Sequence, residues 1–447
     1  MNGLPRIIWY YLVTKYGRKF NSRTSLINWQ NQQVMSFLKQ VLPKSSFYRK
    51  YYQSLNKYFD HNLNIHEWRD LPIIDKSIMM ENFDDLNTVG IKKSAALEVA
   101  LSAEKSRNFA ATLNGYTIGM SSGTSGNRGL FAVSQSEQQA WAGAILAKGL
   151  PQPITTPQRI AFFLRANSNL YETVNKQRIQ FQYFDLFKPV ESHFAKLNEY
   201  APTILVAPPS MLRLLADAKN NNILNINPIK VISVAEVLDP LDEVYIRKSF
   251  NQIVHQFYQC TEGFLGYTCE YGTLHLNEDI LVIQKEYVDR DAGKFMPIIT
   301  DFNRRTQPII RYRLDDIITE RKMPCRCGSI LIPIESIEGR RDDIFYLPSK
   351  IEDKLIPIFP DFIRRAIIIA SENIQEYQVV QKSLDVIVIS LKVATEVYEP
   401  VKILVTQSLH NLFNQSHCRV PEIIYQEYEV STIHHSKLRR VRREFSV

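Results

Sequence analysis

A Ser- and Gly-rich run at residues 120–129 is the most informative stretch of the sequence: Met120-Ser121-Ser122-Gly123-Thr124-Ser125-Gly126-Asn127-Arg128-Gly129. Glycines allow backbone conformations in which several N–H groups point toward one place, and short hydroxyl side chains add donors. Arg128 supplies a positive charge beside them. This composition indicates a loop that binds the oxygens of an anion such as phosphate. A solvated Ser/Gly loop without a ligand is the alternative that the run alone leaves open.

The composition predicts a folded, soluble protein. The chain has 447 residues, 45% of them hydrophobic and 22% charged, which predicts two domains with ordinary cores. We attribute most of the net charge of +8 to the basic segment between Lys437 and Arg443. The rest of the chain is then close to neutral, which is more typical of a protein that binds an anionic cofactor than of one that binds a nucleic-acid backbone. Five cysteines, an odd and low count, indicate a reducing cytoplasm.

The pattern of apolar residues changes along the chain. Residues 1 to about 75 show helical spacing and predict an N-terminal helical cap, in which the short run Ile7–Val13 is a helix and neither a signal nor a membrane anchor. From about 95 to 250, short apolar runs alternate with helix-like segments such as Ser210–Asn220, which predicts α/β layers. The predicted strands are Ile160–Leu164, Ile204–Val206 and Val231–Val234.

The second half of the chain is predicted to be richer in strands. Residues 270–335 suggest a β-rich subdomain with strands at Leu274–Leu276 and Ile280–Ile283. The last hundred or so residues have the size of a small α+β domain. Its predicted elements are strands at Ile367–Ile369 and Val386–Ile389 and an amphipathic helix near Val397–Phe413.

Two carboxylate motifs suggest contacts to a nucleotide. Thr261 and Glu262 are expected where a strand gives way to a loop, and a carboxylate there can hold Mg²⁺ together with nucleotide phosphates. The run Pro308–Asp316 alternates like a strand and ends in two carboxylates, which can accept the hydroxyls of a ribose. An ordinary surface glutamate and an exposed strand with ion pairs are the respective alternatives.

The segment Gly339–Asp343 follows, with a glycine that can act as a hinge and an arginine that can reach a ribose or phosphate. The sequence pattern changes here, which predicts a domain boundary. Near the end, Ser436–Arg443 concentrates positive charge around Lys437. On composition alone a solvated basic tail or a nucleic-acid patch is favoured over a role at an active site.

Four residues have side chains suited to zinc: Cys269, His275, Cys325 and Cys327. Thiolate and imidazole ligands are usual for closed tetrahedral structural zinc, although Cys-x-Cys is tighter than the common Cys-x₂-Cys spacing. Protein side chains would fill all four positions, so a structural role is expected. Buried apolar cysteines with an unrelated histidine are the alternative.

The order of these motifs resembles the adenylate-forming superfamily, and within it the phenylacetate–CoA ligase and coenzyme F390 synthetase branch, including its "putative adenylate-forming enzyme" members. The likeness runs from about residue 20 to the end. Its fold implication is α/β: a large N-terminal adenylation domain with a β-rich subdomain at residues 1–338, and a small mobile C-terminal α+β lid domain at 339–447. Some members of the branch carry a similar Cys/His set, which favours the zinc interpretation.

The resemblance also implies roles for the residues that bind ATP. The loop Ser121, Ser122, Gly123, Thr124, Ser125 and Gly126, with Arg128, would close over the β- and γ-phosphates. Ala235 and Glu236 would border the adenine pocket, and Tyr258 would pack against the base. Asp316 would bind the ribose, with Arg340 beside it.

The catalytic roles follow in the same way. Thr261 and Glu262 would handle the α-phosphate and Mg²⁺, and Lys437 would contact the carboxylate and α-phosphate as the adenylate forms. The implied reaction joins a small carboxylic acid to the α-phosphorus of ATP and releases pyrophosphate, after which coenzyme A, a carrier-protein thiol or an amine takes the acyl group. Asn127 stands where the family usually has a lysine, so Arg128 would have to replace that charge.

Two other functions stay open on the sequence. The first is a nucleic-acid or anionic-surface binder that uses the basic C-terminus, and the second is a catalytically silent nucleotide-binding homologue. We favour the ligase, and therefore expect no nucleic-acid partner and no transmembrane segment.

Overall fold

A computed structural model of the chain describes residues 3–52, 67–106, 112–121, 129–164, 178–429 and 439–445. The described helices are α1 Gly3–Leu12, α2 Arg23–Val41, α3 Ser46–Tyr51, α4 Lys76–Glu81, α5 Phe83–Leu86, α6 Lys93–Ser106, α7 Gln135–Gly149, α8 Phe194–Tyr200, α9 Pro209–Asn220, α10 Pro240–Phe250, α11 Pro360–Ala370 and α12 Tyr398–Gln415. A π-helical turn, Val13–Gly17, continues α1, and short 3₁₀ turns occupy Glu67–Asp70, Val190–His193, Arg341–Asp343 and Thr395–Val397. None of the described helices combines the length and apolarity needed to cross a bilayer.

Helices fill the first part of the described chain, as the apolar spacing predicts. Ser22 starts α2 by accepting a hydrogen bond from the Ser25 N–H at 3.1 Å, which satisfies a backbone donor of the first turn. One face of α2 is buried, including Val34 and Phe37. These helices pack on the same large core as the central sheet.

The central sheet contains twelve strands of the described chain, and its direction changes at one point. Strands β4 to β8 pair in parallel in the order β5-β4-β6-β7-β8, whereas β8 onward pair antiparallel through β9, β10, β15, β14, β12 and β11, with β13 on β12. The bounds are β4 Gln158–Leu164, β5 Ile179–Asp185, β6 Ile204–Ala207, β7 Lys230–Ser233, β8 Val254–Cys260, β9 Gly263–Thr268, β10 Leu274–Leu276, β11 Val282–Asp289, β12 Lys294–Asp301, β13 Ile309–Arg313, β14 Asp316–Glu320 and β15 Pro333–Arg340.

The parallel half matches the predicted α/β layers, and its two inner strands β6 and β7 are buried along their whole length. Such burial is expected for parallel strands covered on both faces. A separate small sheet joins β1 Thr112–Leu113, β2 Tyr116–Met120 and β3 Leu130–Val133, and packs against α6.

The C-terminal part has its own core. A two-stranded sheet joins β16 Phe345–Pro348 and β17 Leu355–Ile358, and a four-stranded sheet has the order β20-β19-β18-β21. Its strands are β18 Glu376–Ser383, β19 Val386–Lys392, β20 Glu422–Gln426 and β21 Val441–Arg443. Buried side chains between Phe345 and Val441 form one cluster with α11 and α12. A separate core of this kind is what a boundary near residue 339 requires.

Two predicted strands need correction. Ile367–Ile369 lies in α11, where Ile363 and Ile367 are buried at helical spacing and Ile369 is 68% exposed. A short apolar run does not distinguish helix from strand, and Pro360 at the first helical position starts a helix here. In the second case, β11 begins only at Val282, so Ile280 and Leu281 belong to the preceding turn.

Candidate functional site

The β8–β9 hairpin presents Thr261 and Glu262 in a tight turn between antiparallel strands, at the end of a strand as the sequence predicted. The Thr261 hydroxyl donates to Glu262 Oε2 at 2.7 Å, and the Tyr312 hydroxyl donates to Oε1 at 3.1 Å. Arg304 Nη1 donates to the Thr261 carbonyl at 2.9 Å, which fixes the turn from behind. Burial and the Glu262 carboxylate both raise the pKa of Tyr312, so its hydroxyl stays protonated.

Tyr258, Asp316 and Arg340 meet beside this turn. The Tyr258 hydroxyl donates to Asp316 Oδ2 at 2.7 Å, and Asp316 pairs in register with Arg340 across β14 and β15. The Arg340 Nε lies 4.0 Å from Asp316 Oδ1. Burial and the Asp316 charge raise the pKa of Tyr258 well above its ordinary range. The structure therefore brings together the residues predicted to contact the base and the ribose.

Both ends of the Ser/Gly loop are described, and they are tied to each other. The Ser121 N–H donates to the Gly129 carbonyl and the Gly129 N–H donates to Ser121 Oγ, each at 2.8 Å. Because β2 and β3 continue this pairing, the loop leaves the small sheet at a fixed base. The remaining predicted loop residues lie outside the described part of the chain: Ser122, Gly123, Thr124, Ser125, Gly126, Asn127 and Arg128.

Lys76 joins this site, although no sequence motif predicted a functional role for it. The preceding Ile74 pairs with β13, with its N–H donating to the Arg311 carbonyl at 3.1 Å. A Cβ atom on Gly129 would lie 3.2 Å from Lys76 Cε and 3.6 Å from Ser121 Oγ. Burial lowers the pKa of Lys76, while the nearby Glu262 carboxylate raises it. The lysine thus lies between the base of the Ser/Gly loop and Glu262.

Ala235 and Glu236 lie just after β7, at the carboxyl end of the parallel strands. Ala235 has φ of 68°, a left-handed conformation that is strained for alanine, and Glu236 accepts a hydrogen bond from the Ser210 N–H at 3.3 Å. The neighbouring parallel strand β8 leads at the same edge into Thr261. Ligands of open α/β sheets bind at this carboxyl edge.

The four predicted zinc ligands converge. Their ligand atoms all lie within 4.8 Å of one another, with Cys269 Sγ 3.7 Å from Cys325 Sγ and Cys327 Sγ 3.4 Å from His275 Nε2. The other imidazole nitrogen, Nδ1, lies 3.0 Å from the Leu331 carbonyl. That contact orients Nε2 toward the cluster, as a second partner does for a metal-bound histidine. Three thiols and one imidazole are a donor set that suits a closed Zn²⁺ site.

A buried ion-pair network joins the C-terminal part to α10. Arg440, which is 5% exposed, donates through Nη2 to both carboxylate oxygens of Asp242 at 2.6 and 2.7 Å. The Tyr377 hydroxyl donates to Asp239 Oδ2 at 2.7 Å, and Arg364 Nε lies 3.3 Å from the same oxygen. Lys437 lies outside the described residues, but the strand that follows it is anchored through Arg440.

No protein-family model matches the chain. Over 139 residues it is 28% identical to indoleacetate–lysine synthetase of Pseudomonas savastanoi, a match that spans 30% of this chain and 34% of that protein, about a third of its length.

Solved structures match over a larger share of the chain. A 2-hydroxyisobutyryl-CoA ligase in the postadenylation state, bound to an acyl-AMP, aligns over 96% of this chain and 91% of its own, at 16% identity and a TM-score of 0.69. The same ligase in the thioesterification state gives a TM-score of 0.56. The amide bond synthetase McbA from Marinactinospora thermotolerans aligns over 73% of this chain and 68% of its own, at 12% identity and a TM-score of 0.52. The chain therefore has the fold of the adenylate-forming ligases, as the order of its motifs predicted.

Proposed function

We propose that this protein activates a carboxylic acid with ATP, forming an acyl adenylate and pyrophosphate, and then transfers the acyl group to coenzyme A or another thiol or amine. The observation that carries the proposal is the convergence of Glu262, the Tyr258–Asp316–Arg340 group and the base of the Ser/Gly loop at one edge of the sheet. Acyl-AMP complexes of ligases with this fold support it.

In this proposal the nucleoside lies against Tyr258, whose hydroxyl orients Asp316. The second carboxylate oxygen of Asp316 lies toward Arg340, and a carboxylate so placed can accept hydrogen bonds from the ribose hydroxyls. Ala235 and Glu236 would border the adenine, because they lie at the carboxyl edge of β7 beside β8. The exposed Ala235 has no long side chain to obstruct a planar base.

The phosphates would lie between the Ser/Gly loop and the β8–β9 turn. Mg²⁺ fits Glu262 because the Thr261 and Tyr312 hydroxyls donate to its carboxylate oxygens, which keep lone pairs for a hard cation. The ion would neutralise charge between the two anionic reactants. Thr261 would contact the α-phosphate, and Lys76 would supply the positive charge that Asn127 does not.

Lys437 would reach the α-phosphate and the substrate carboxylate when the Arg440–Asp242 contact is made. Two arginines of the basic C-terminal segment form ion pairs inside the protein. Arg440 pairs with Asp242, and Arg439 pairs with Asp343. These inward contacts favour a catalytic segment over a nucleic-acid patch. Cys269, His275, Cys325 and Cys327 would hold Zn²⁺ as a structural ion.

Pyrophosphate release from ATP tests the proposal directly. Aryl, fatty and amino acids would be screened with and without coenzyme A, and one or more acids are expected to stimulate release. Glu262→Gln should abolish that stimulation, whereas the matched change Glu335→Gln on an exposed strand position should not. ATP binding without turnover across the whole panel would instead identify a silent nucleotide-binding homologue.

A further inference from the structure

The positive charge of the protein is concentrated at its N-terminal helices, and not mainly at the C-terminal segment to which we attributed it from the sequence. The first 59 residues hold ten of the 54 Lys and Arg residues and none of the 46 Asp and Glu residues. The rest of the chain is therefore slightly acidic. An acid-free segment of this length gives one side of a protein a strong positive field.

An apolar stripe crosses the outer face of the first helix. Trp9, Leu12 and Tyr16 are 62%, 45% and 52% exposed, although each is large and apolar. The opposite face is buried through Ile7 and Tyr11. Scattered exposed apolar residues are common, but three in one row on a helix form a continuous patch.

The stripe belongs to a helix that is held firmly in place. α1 packs on α7 so closely that a Cβ atom on Gly143 would lie 2.7 Å from the Ile7 carbonyl oxygen and 2.5 Å from Tyr10 Cβ. Such an approach requires glycine. The tight contact fixes which side of α1 faces outward, so the exposed stripe is a property of the fold.

Cations border this stripe. Arg6 and Lys19 are exposed and form no ion pair with any described residue, and Lys15 lies with its Nζ 5.5 Å from the Tyr11 ring. Acidic groups close to this segment are Glu270, which together with Lys15 acts on the buried Lys230, and Asp279 and Asp301, which act on Arg18. Other exposed cations of the acid-free segment, also without ion pairs in the described chain, are Lys39, Lys44, Arg49 and Lys50.

We infer that Trp9, Leu12 and Tyr16, with Arg6, Lys15 and Lys19, dock the protein on the surface of a bilayer that carries anionic headgroups. Trp and Tyr favour the boundary between headgroups and acyl chains, and flanking Lys and Arg attract anionic lipid. A polyanion has no apolar phase, so docking on a polyanion would leave the side chains of Trp9, Leu12 and Tyr16 exposed to water. The helix would lie in the plane of the interface, with its apolar stripe inserted.

Vesicle binding of the full chain tests this inference. Trp9 is a useful reporter because Trp68 is fully buried and Trp29 and Trp141 are partly buried. Vesicles with roughly one third phosphatidylglycerol in phosphatidylcholine should co-sediment the protein and shift its tryptophan emission to the blue. Binding should weaken in pure phosphatidylcholine and with added salt.

Two double variants separate the contributions. Arg6→Glu with Lys19→Glu should weaken co-sedimentation by about tenfold or more, since each cation near an anionic surface is worth about 1 kcal/mol and 1.4 kcal/mol is tenfold. Trp9→Ser with Leu12→Ser should weaken it as well. Matched controls elsewhere on the surface are Lys188→Glu with Lys248→Glu and Val244→Ser with Ile403→Ser, which should bind like the unaltered chain.

Several outcomes would overturn the inference. One is equal binding of all four double variants, provided that their thermal unfolding is unchanged. Another is that the protein does not bind anionic vesicles. If the protein then self-associates or captures an acidic protein, Trp9→Ser should abolish that contact. In that case the stripe is a protein interface.

Discussion

Lys76 links two parts of the site that lie far apart in the sequence. Its Cε packs against Gly129 at the base of the Ser/Gly loop, and its charge interacts with Glu262. We expect Lys76→Gln to raise the KM for ATP by about tenfold to a hundredfold, because a hydrogen bond to a charged group contributes roughly 1.5–3 kcal/mol. Steady-state pyrophosphate release at varied ATP measures this.

The control for this prediction is Lys105→Gln, an exposed change on α6. An unaltered KM for ATP in a folded Lys76→Gln enzyme would remove Lys76 from the phosphate site. Arg128 would then be the remaining candidate to replace the missing lysine charge.

Asp301 is a buried residue whose negative charge destabilises the folded state. It ends β12, where its Oδ1 accepts the Asn303 N–H at 2.9 Å, and burial raises its pKa to about 6 although Arg304 opposes the shift. The folded state therefore binds this proton more tightly than the unfolded state does. The contribution of this proton to the free energy of unfolding is complete below about pH 4 and is lost as the pH rises through about 6. The free energy of unfolding changes by about 3 kcal/mol over this range.

Asp301→Asn should remove that pH dependence. The free energy of unfolding in urea, measured between about pH 4 and 7, should fall with pH less steeply in the variant than in the unaltered protein. Asp291→Asn, at an exposed position, serves as the control. Parallel curves for the unaltered protein and Asp301→Asn would contradict the assignment.

At the residue scale, the sequence predicted side chains that belong to local motifs. Tyr258, Asp316 and Arg340 were expected to serve one nucleoside, and the structure brings them together. Lys76 was missed because its role depends on Ile74 pairing with β13, a contact between distant segments that no local spacing reveals. The convergence of the four Cys and His side chains was predicted because their donor types are distinctive even when they are dispersed, and the bound Zn²⁺ stays a prediction.

At the scale of elements, the sequence distinguished strands from helices where the pattern was long or the strand was fully buried. Val386–Ile389 lies in β19 and Val397–Phe413 lies almost entirely in α12. Ile367–Ile369 was wrong because three β-branched residues favour a strand locally, whereas α11 is fixed by tertiary packing of Ile363 and Ile367. Tertiary contacts determine whether such a short apolar run forms a helix or a strand, and these contacts cannot be predicted from the local sequence.

The contact between Arg440, which lies directly before β21, and α10 bears on the proposed adenylation step. Arg440, three residues after Lys437, makes a bidentate contact with Asp242. We expect Arg440→Lys to slow acid-dependent ATP–pyrophosphate exchange by about tenfold or more, since a single ammonium does not reproduce the fork geometry. Transfer from a preformed acyl adenylate to the acceptor should change much less.

Arg443→Lys is the matched control, because Arg443 lies three residues after Arg440, at the end of β21, but donates to the Ile344 carbonyl within the C-terminal part. Breaking a buried pair also destabilises the fold, so thermal unfolding must be followed alongside. Equal losses in both half-reactions, in step with lost stability, would show that the pair is only structural.

At the scale of the whole molecule, both apolar and polar contacts join the two parts. The large apolar clusters of the central sheet and of the C-terminal sheet have no residue in common. A small buried cluster of Met296, Ile317, Ile344 and Phe359 lies between the parts, together with the polar contacts Arg440–Asp242, Tyr377–Asp239 and Lys294–Asp361. A rotation of the C-terminal part would therefore have to break contacts of both kinds.

The Cys/His cluster ties the antiparallel half of the sheet together. Cys269 follows β9, His275 lies in β10, and Cys325 and Cys327 precede β15, so one ion would cross-link three segments. Burial alone would raise the pKa of Cys325, but hydrogen bonds from the Cys327 N–H and its other neighbours lower it to about 6. A thiolate is the form that binds metal.

We therefore expect the purified protein to contain one equivalent of Zn²⁺ by elemental analysis, and Cys327→Ser to lose it together with several degrees of Tm. The loss of stability should precede any effect on ATP binding, because the cluster closes its own coordination with protein ligands. Cys418→Ser removes a buried thiol of the C-terminal part and should keep the metal. A metal-free protein whose Tm is the same with Cys327→Ser, and is unaffected by a strong chelator, would show that the four side chains pack without an ion.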